Sequence, residues 1–141
     1  MTEEKDNLLC ARYPKIFSNR YGDPRETLMC FGFECADGWF DIIDSLCRCI
    51  QSHVDNSQAR GHMTPEEFNS KTQVRAAQVK EKFGSLRFYV DNSDEFVRGL
   101  ISMAETQSLK TCERCGCPGH PRSGGWIRTL CDDCHTTKMK K

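Results

Sequence analysis

Two Cys-x-x-Cys pairs near the C-terminal end constrain this chain more than any other feature. Cys112 and Cys115 form the first pair, Cys131 and Cys134 the second, and 15 residues separate them. Two residues between thiolates allow a tight turn that points both sulfurs at one ion. Two such turns complete a tetrahedron of sulfur ligands around Zn²⁺ or a similar soft divalent metal. Gly116 permits the sharp backbone turn of a zinc knuckle. Gly124-Gly125 and the run Trp126 to Leu130 supply a turn and a strand leading into the second pair. If that strand feeds a helix that starts at the second pair, the module is a treble clef. If the last residues stay extended, it is a zinc ribbon. Cys117, His120 and His135 lie close enough in sequence to replace one of the four ligands. A site closed by four thiolates leaves no coordination position for water, so the metal is expected to be structural and not hydrolytic. About 32 residues cannot build a sufficient core alone, and the metal is expected to supply the folding energy of residues 110–141.

The chain has 141 residues and ten cysteines. The start, Met1 to Asp6, is polar, no apolar run of signal-peptide length follows, and no stretch approaches membrane-spanning length. The expected setting is a reducing cytoplasm, where closely spaced cysteines mean metal or free thiols rather than disulfides. Cys10, Cys30, Cys35, Cys47 and Cys49 fall outside the paired pattern. On a helix, Cys47 and Cys49 point about 200° apart and cannot readily share an ion. They read as free thiols behaving as small hydrophobes.

Residues 1–109 read as an α+β body: a small antiparallel sheet or hairpin packed by two helices. Residues 1–36 read as irregular, with Leu28 to Cys35 a buried strand interrupted at Gly32. Residues 38–54 carry a helical stripe of Trp39, Ile43, Leu46 and Ile50, widened by Ile42 and Cys49, with Asp37 placed to accept backbone N–H bonds at the start. A polar loop is expected over 55–63. Thr64-Pro65-Glu66-Glu67 has the form of a capping box that opens a short helix to about Lys71. Residues 73–90 carry a hairpin signal, with Gly84-Ser85 as a type II′ turn flanked by Phe83 and Leu86, and with Glu81 breaking the apolar alternation. A second long helix follows Asp94 and runs to about Ser108, its stripe being Phe96, Val97, Leu100, Ile101 and Ala104.

Chain charge is balanced, 20 basic against 20 acidic residues, but the distribution is uneven. Residues 110–141 hold seven Lys/Arg against three acids, a +4 tail on a −4 body, which hints at an anionic partner. Lys80, Lys82, Arg87 and Tyr89 are expected on one outer face of the hairpin, a composition that suits phosphate or nucleotide contact. Asp37, Asp41 and Asp44 are accounted for by a helix start, and His53 and His62 are isolated. No phosphate loop, Ser-His-Asp order or His-Glu-x-x-His pattern occurs. Binding, not catalysis, is the expected function.

Three blocks, Gly32 to Ile43, Gln78 to Val90 and Thr111 to Cys134, together resemble a group of small bacteriophage, prophage and bacterial proteins. These carry a K-E-K-F-G-x-L-R-F-Y segment ahead of a C-x-x-C-G…L-C-x-x-[CH] metal-binding end. The resemblance covers most of residues 10–135. It implies Cys112, Cys115, Cys131 and Cys134 as the Zn²⁺ set and a phage-type accessory protein of the bacterial cytoplasm. The expected partner is a host protein or a nucleic acid, with inhibition of a host or defence system as one purpose. A small nucleotide signal is the alternative ligand, and no membrane is involved.

Overall fold

The computed structural model describes residues 1–61 and 64–137. His62 and the tail lysines Lys138, Lys140 and Lys141 therefore lie outside the described residues. The fold is α+β, with a small sheet, helices packed on it, and a separate two-stranded ribbon in the cysteine-rich end.

Residues 1–36 hold more structure than expected. Helix α1 spans Glu3–Arg12, its first turn carrying Glu3, Glu4 and Asp6, a placement that suits the helix dipole. Its apolar residues are adjacent (Leu8, Leu9) rather than three or four apart, and only Leu9 is buried among them. That is why no periodic signal marks it. The expected strand over Leu28 to Cys35 is instead a 3-10 turn, Leu28–Phe31, followed by the two-residue strand β1, Phe33–Glu34. Gly32 joins them at φ 77°, and a Cβ there would lie 2.8 Å from both the Arg20 guanidinium and the Asp6 carboxylate. Those two groups form a well-shielded pair, Arg20 Nη2 donating to Asp6 Oδ2 at 2.9 Å.

Helix α2 spans Phe40–Arg60, preceded by a 3-10 turn at Asp37–Trp39. Trp39, Ile43, Leu46, Cys47, Ile50 and Val54 are buried, whereas Cys49 is exposed. Asp37 does not cap this helix. Its carboxylate accepts instead from the Thr2 backbone N–H at 2.7 Å and the Thr2 hydroxyl at 3.1 Å, tying the chain start to the turn. The polar loop expected from residue 55 begins only at Gly61. Residues 55–60 contain no breaker, and Gln51 supports the extra turns by donating to Asp55 at 2.9 Å, one turn on. Helix α3, Pro65–Lys71, opens on the expected capping box: Thr64 Oγ1 accepts from the Glu67 N–H, and Glu67 Oε2 accepts from the Thr64 N–H.

The hairpin consists of β2, Arg75–Lys82, and β3, Ser85–Asp91. Lys82 pairs with Ser85, so the turn residues are Phe83 and Gly84, one position earlier than expected. Both have positive φ, 53° and 81°. That is the type I′ pattern rather than II′, and the first position holds Phe where Asn or Gly is usual. A bulge at Ala77 lets both Ala76 and Val79 face the core. Strand β1 joins β2 in parallel, so the sheet is mixed, in the order β1-β2-β3. Helix α4, Glu95–Ser108, is capped by Asp94 Oδ1 accepting from the Val97 N–H. It packs on α2 and covers the free edge of β3. Ser108 Oγ accepts from the Leu86 N–H at 2.9 Å and Glu105 from the Phe88 N–H at 3.4 Å, so two outward donors of that edge are met. Phe96, expected in the core stripe, is 56 % exposed and stacks on His53 with ring centroids 4.4 Å apart. No helix of the described residues is long and apolar enough to cross a membrane.

Candidate metal centre and its seam with the body

The first cysteine pair sits on a knuckle. Gly116, at φ 81°, lets its N–H return to the Cys112 carbonyl at 2.9 Å, while the Cys112 N–H donates to the Cys117 carbonyl at 2.7 Å. The chain then forms β4, His120–Arg122, and β5, Arg128–Leu130, an antiparallel ribbon. Strand β5 runs directly into Cys131, the N-cap of helix α5, Asp132–Thr136. Of the two expected arrangements, a strand feeding a helix start is the treble clef.

The four sulfurs of Cys112, Cys115, Cys131 and Cys134 lie within 4.8 Å of one another, with Cys115 and Cys131 3.6 Å apart. A tetrahedron with metal–sulfur bonds of about 2.3 Å has edges of about 3.8 Å, so the cluster is sized for one ion. Cys117, His120 and His135 do not join it among the described residues. Packing four thiols together sets their proton affinities against one another. Burial disfavours charge on Cys112, but backbone N–H groups of the two turns outweigh it and bring its pKa down to about 6. Hydrogen bonding to Cys115, with burial added, pushes Cys134 up to about 12.

The knuckle is pressed against the body. The Gly38 N–H donates to the Glu113 carbonyl at 2.7 Å, and the Trp39 indole N–H to the Thr111 carbonyl at 2.9 Å. A Cβ on Gly38 would lie 2.2 Å from the Cys112 carbonyl oxygen and 2.5 Å from the Gly116 nitrogen. Only glycine permits that approach. Glu113, 4 % exposed, is the second tie: Oε2 accepts from Arg128 Nε and Nη2 at 3.1 and 3.0 Å, and Oε1 from the Ala36 N–H. The third tie is the β2–β3 turn. The fully buried Thr129 donates its hydroxyl to the Gly84 carbonyl at 2.6 Å. Glu81 accepts from the Gly84 N–H with one oxygen and from the Trp126 indole N–H, at 3.2 Å, with the other. Its break in the hairpin alternation is thus explained by the seam. That break was the only sequence signal of the contact; Gly38, Glu113 and Thr129 carried none.

The four hairpin residues expected as a ligand surface share one face by register, Lys80 opposite Arg87 and Gln78 opposite Tyr89. The structure does not gather them into one concavity. Arg87 folds back onto Ser85 Oγ at 2.7 Å and toward Glu105, and Tyr89 borders a different depression, with Glu26 and Asp91. Lys82 lines a groove with the module loop instead. The body cysteines join no metal cluster among the described residues. Burial, aided by Asp6, pushes Cys10 up to about 12, burial does the same to Cys35, and burial also raises the fully buried Cys47 well above the ordinary thiol value. They are neutral thiols packed as hydrophobes. Asp44 accepts from Arg12 and Tyr13, both at 2.9 Å, a structural tie between α1 and α2.

Fold and site together define an α+β body with a four-cysteine, treble-clef-like module docked on it. No family model, curated protein or solved structure matches the chain.

Proposed function

We propose that the four cysteines hold one structural Zn²⁺ and that the chain is a non-enzymatic binding protein. Its role is that of a phage-type accessory factor gripping a macromolecule of the bacterial host. The observation that carries this reading is the closed sulfur set at the seam. Four protein ligands fill a tetrahedral sphere, so the ion holds shape and activates no water. The surfaces it holds are the module loops and the hairpin tip.

The His53–Asp94 pair, bonded at 2.7 Å, ties α2 to α4. Asp94 is engaged in capping α4, and the Ser57 hydroxyl donates to the His53 carbonyl rather than to the imidazole. The phage assignment rests on the sequence resemblance alone.

Metal analysis of the purified chain, combined with co-purification from prophage-bearing cells, tests the reading. One zinc per chain and a specific host macromolecule are expected. A metal-free chain that stays folded, or recovery of no specific macromolecule, would contradict it.

A further inference from the structure

The hairpin tip and the module loop leave a groove of about 430 Å³ between them, lined by Glu81, Lys82, Phe83, Gly124, Gly125, Trp126 and Ile127. Phe83 is 71 % exposed and Trp126 74 % exposed. The Phe83 placement is not what folding alone would select. Phe83 occupies the first position of a type I′ turn at φ 53°, a left-handed conformation that disfavours a residue with a Cβ. Asn or Gly would relax that turn, and neither would expose a ring. Trp126 stands beside two glycines whose Cβ positions are open space, and its indole N–H is held by Glu81, which fixes the ring's orientation.

The rings have one cation and one carboxylate as neighbours. The Lys82 ammonium lies 5.5 Å from the Phe83 ring centroid, and Lys80 projects from the same face of β2. Glu81, the carboxylate in the groove, already accepts from Gly84 and Trp126. Two exposed aromatic surfaces, with the Lys82 cation in the groove and Lys80 two residues along the same strand face, match a ligand that alternates flat bases with phosphates. An acidic peptide would satisfy the lysines but leave the rings without flat partners.

We infer that this groove binds single-stranded nucleic acid, with bases stacking on Phe83 and Trp126 and the backbone phosphates meeting Lys82 and Lys80. This rests on the reading of the protein as a macromolecule binder and names the partner's chemistry.

The test uses the full zinc-loaded chain and tryptophan fluorescence. Trp39 is fully buried, so quenching reports Trp126. The probes are a 12-nucleotide oligo-dT, the matching oligo-rU, a 12-base-pair duplex and free AMP. A single strand is expected to quench saturably, at least tenfold tighter than AMP or duplex, and with affinity falling roughly sevenfold between about 50 and 200 mM salt, as two phosphate contacts imply. Trp126→Ala, followed by anisotropy of a labelled strand, is expected to weaken binding roughly 5- to 150-fold, the range for one stacked base. Phe83→Asn is the decisive variant because Asn suits the turn. It is expected to keep or raise thermal stability while weakening the strand by a similar factor. Strand binding unchanged by Phe83→Asn would overturn the groove and leave the binder reading intact. No binding of either single strand at low salt would overturn the nucleic-acid assignment, and a host protein recovered by co-purification would then keep the binder reading. Equal affinity for AMP would overturn the strand assignment in favour of a free nucleotide.

Discussion

The body and the module contain cysteines in equal number, five each, yet use them in opposite ways. The body buries a continuous core that includes Leu9, Ile16, Met29, Trp39, Ile43, Ile50, Val79, Leu86 and Phe88. Its cysteines are incidental to that core. In the module, the buried residues are Cys112, Glu113, Thr129 and Leu130. Two of these are polar, and one is a proposed metal ligand. A region with so little apolar burial cannot offset the entropy of ordering its chain by the hydrophobic effect. On the proposed zinc assignment, the module takes its stability from metal–sulfur bonds and from the seam with the body.

The sharpest way to break this contrast is Cys112→Ser. It is expected to abolish stoichiometric zinc binding and unfold residues 110–137, because metal ligation in such modules supplies about 10–16 kcal/mol of apparent folding free energy. Zinc retained at one per chain, by elemental analysis, would show that the ligand set is wrong.

Next in size is Glu113→Ala, which leaves the partly buried Arg128 without its carboxylate and the Ala36 N–H without its acceptor. A loss of about 3 kcal/mol is expected in denaturant unfolding. Gly38→Ala should cost about 2–3 kcal/mol, because its methyl group meets the Cys112 carbonyl and the knuckle must shift. It should also lower zinc affinity, measured by chelator competition. Unchanged affinity would mean that knuckle and body are independent. The smallest effects belong to the body thiols. Cys47→Ala should cost about 1–2 kcal/mol through a small cavity, and Cys49→Ser close to nothing, both with zinc stoichiometry unchanged.

The cysteine cluster was legible in the sequence because metal-ligand chemistry dictates local spacing. Helices α2 and α4 were legible because their buried residues recur with helical period, and α3 because its cap is written in adjacent residues. The turn was misplaced by one position. A Gly-Ser pair is the commoner signal, and Phe at φ 53° runs against local preference. Helix α1 was missed because its stability comes from tertiary ties, Asp6 to Arg20 and Thr2 to Asp37, rather than from a stripe. The seam was nearly invisible for the same reason. Gly38, Glu113 and Thr129 are far apart in sequence and look ordinary until the knuckle and the hairpin tip meet, and only the broken alternation at Glu81 hinted at the contact.

Amide NMR spectra of the full chain during zinc removal by a tight chelator test the contrast most directly. Signals of Glu113, Trp126 and Thr129 should collapse to unfolded positions as zinc leaves. Those of Ile43, Val79 and Phe88 should stay dispersed, with only the Gly38 and Gly84 region shifting. A spectrum that does not change on complete zinc removal would contradict the claim that the metal carries the module's fold. Simultaneous loss of every signal would contradict the claim that the body stands on its own core.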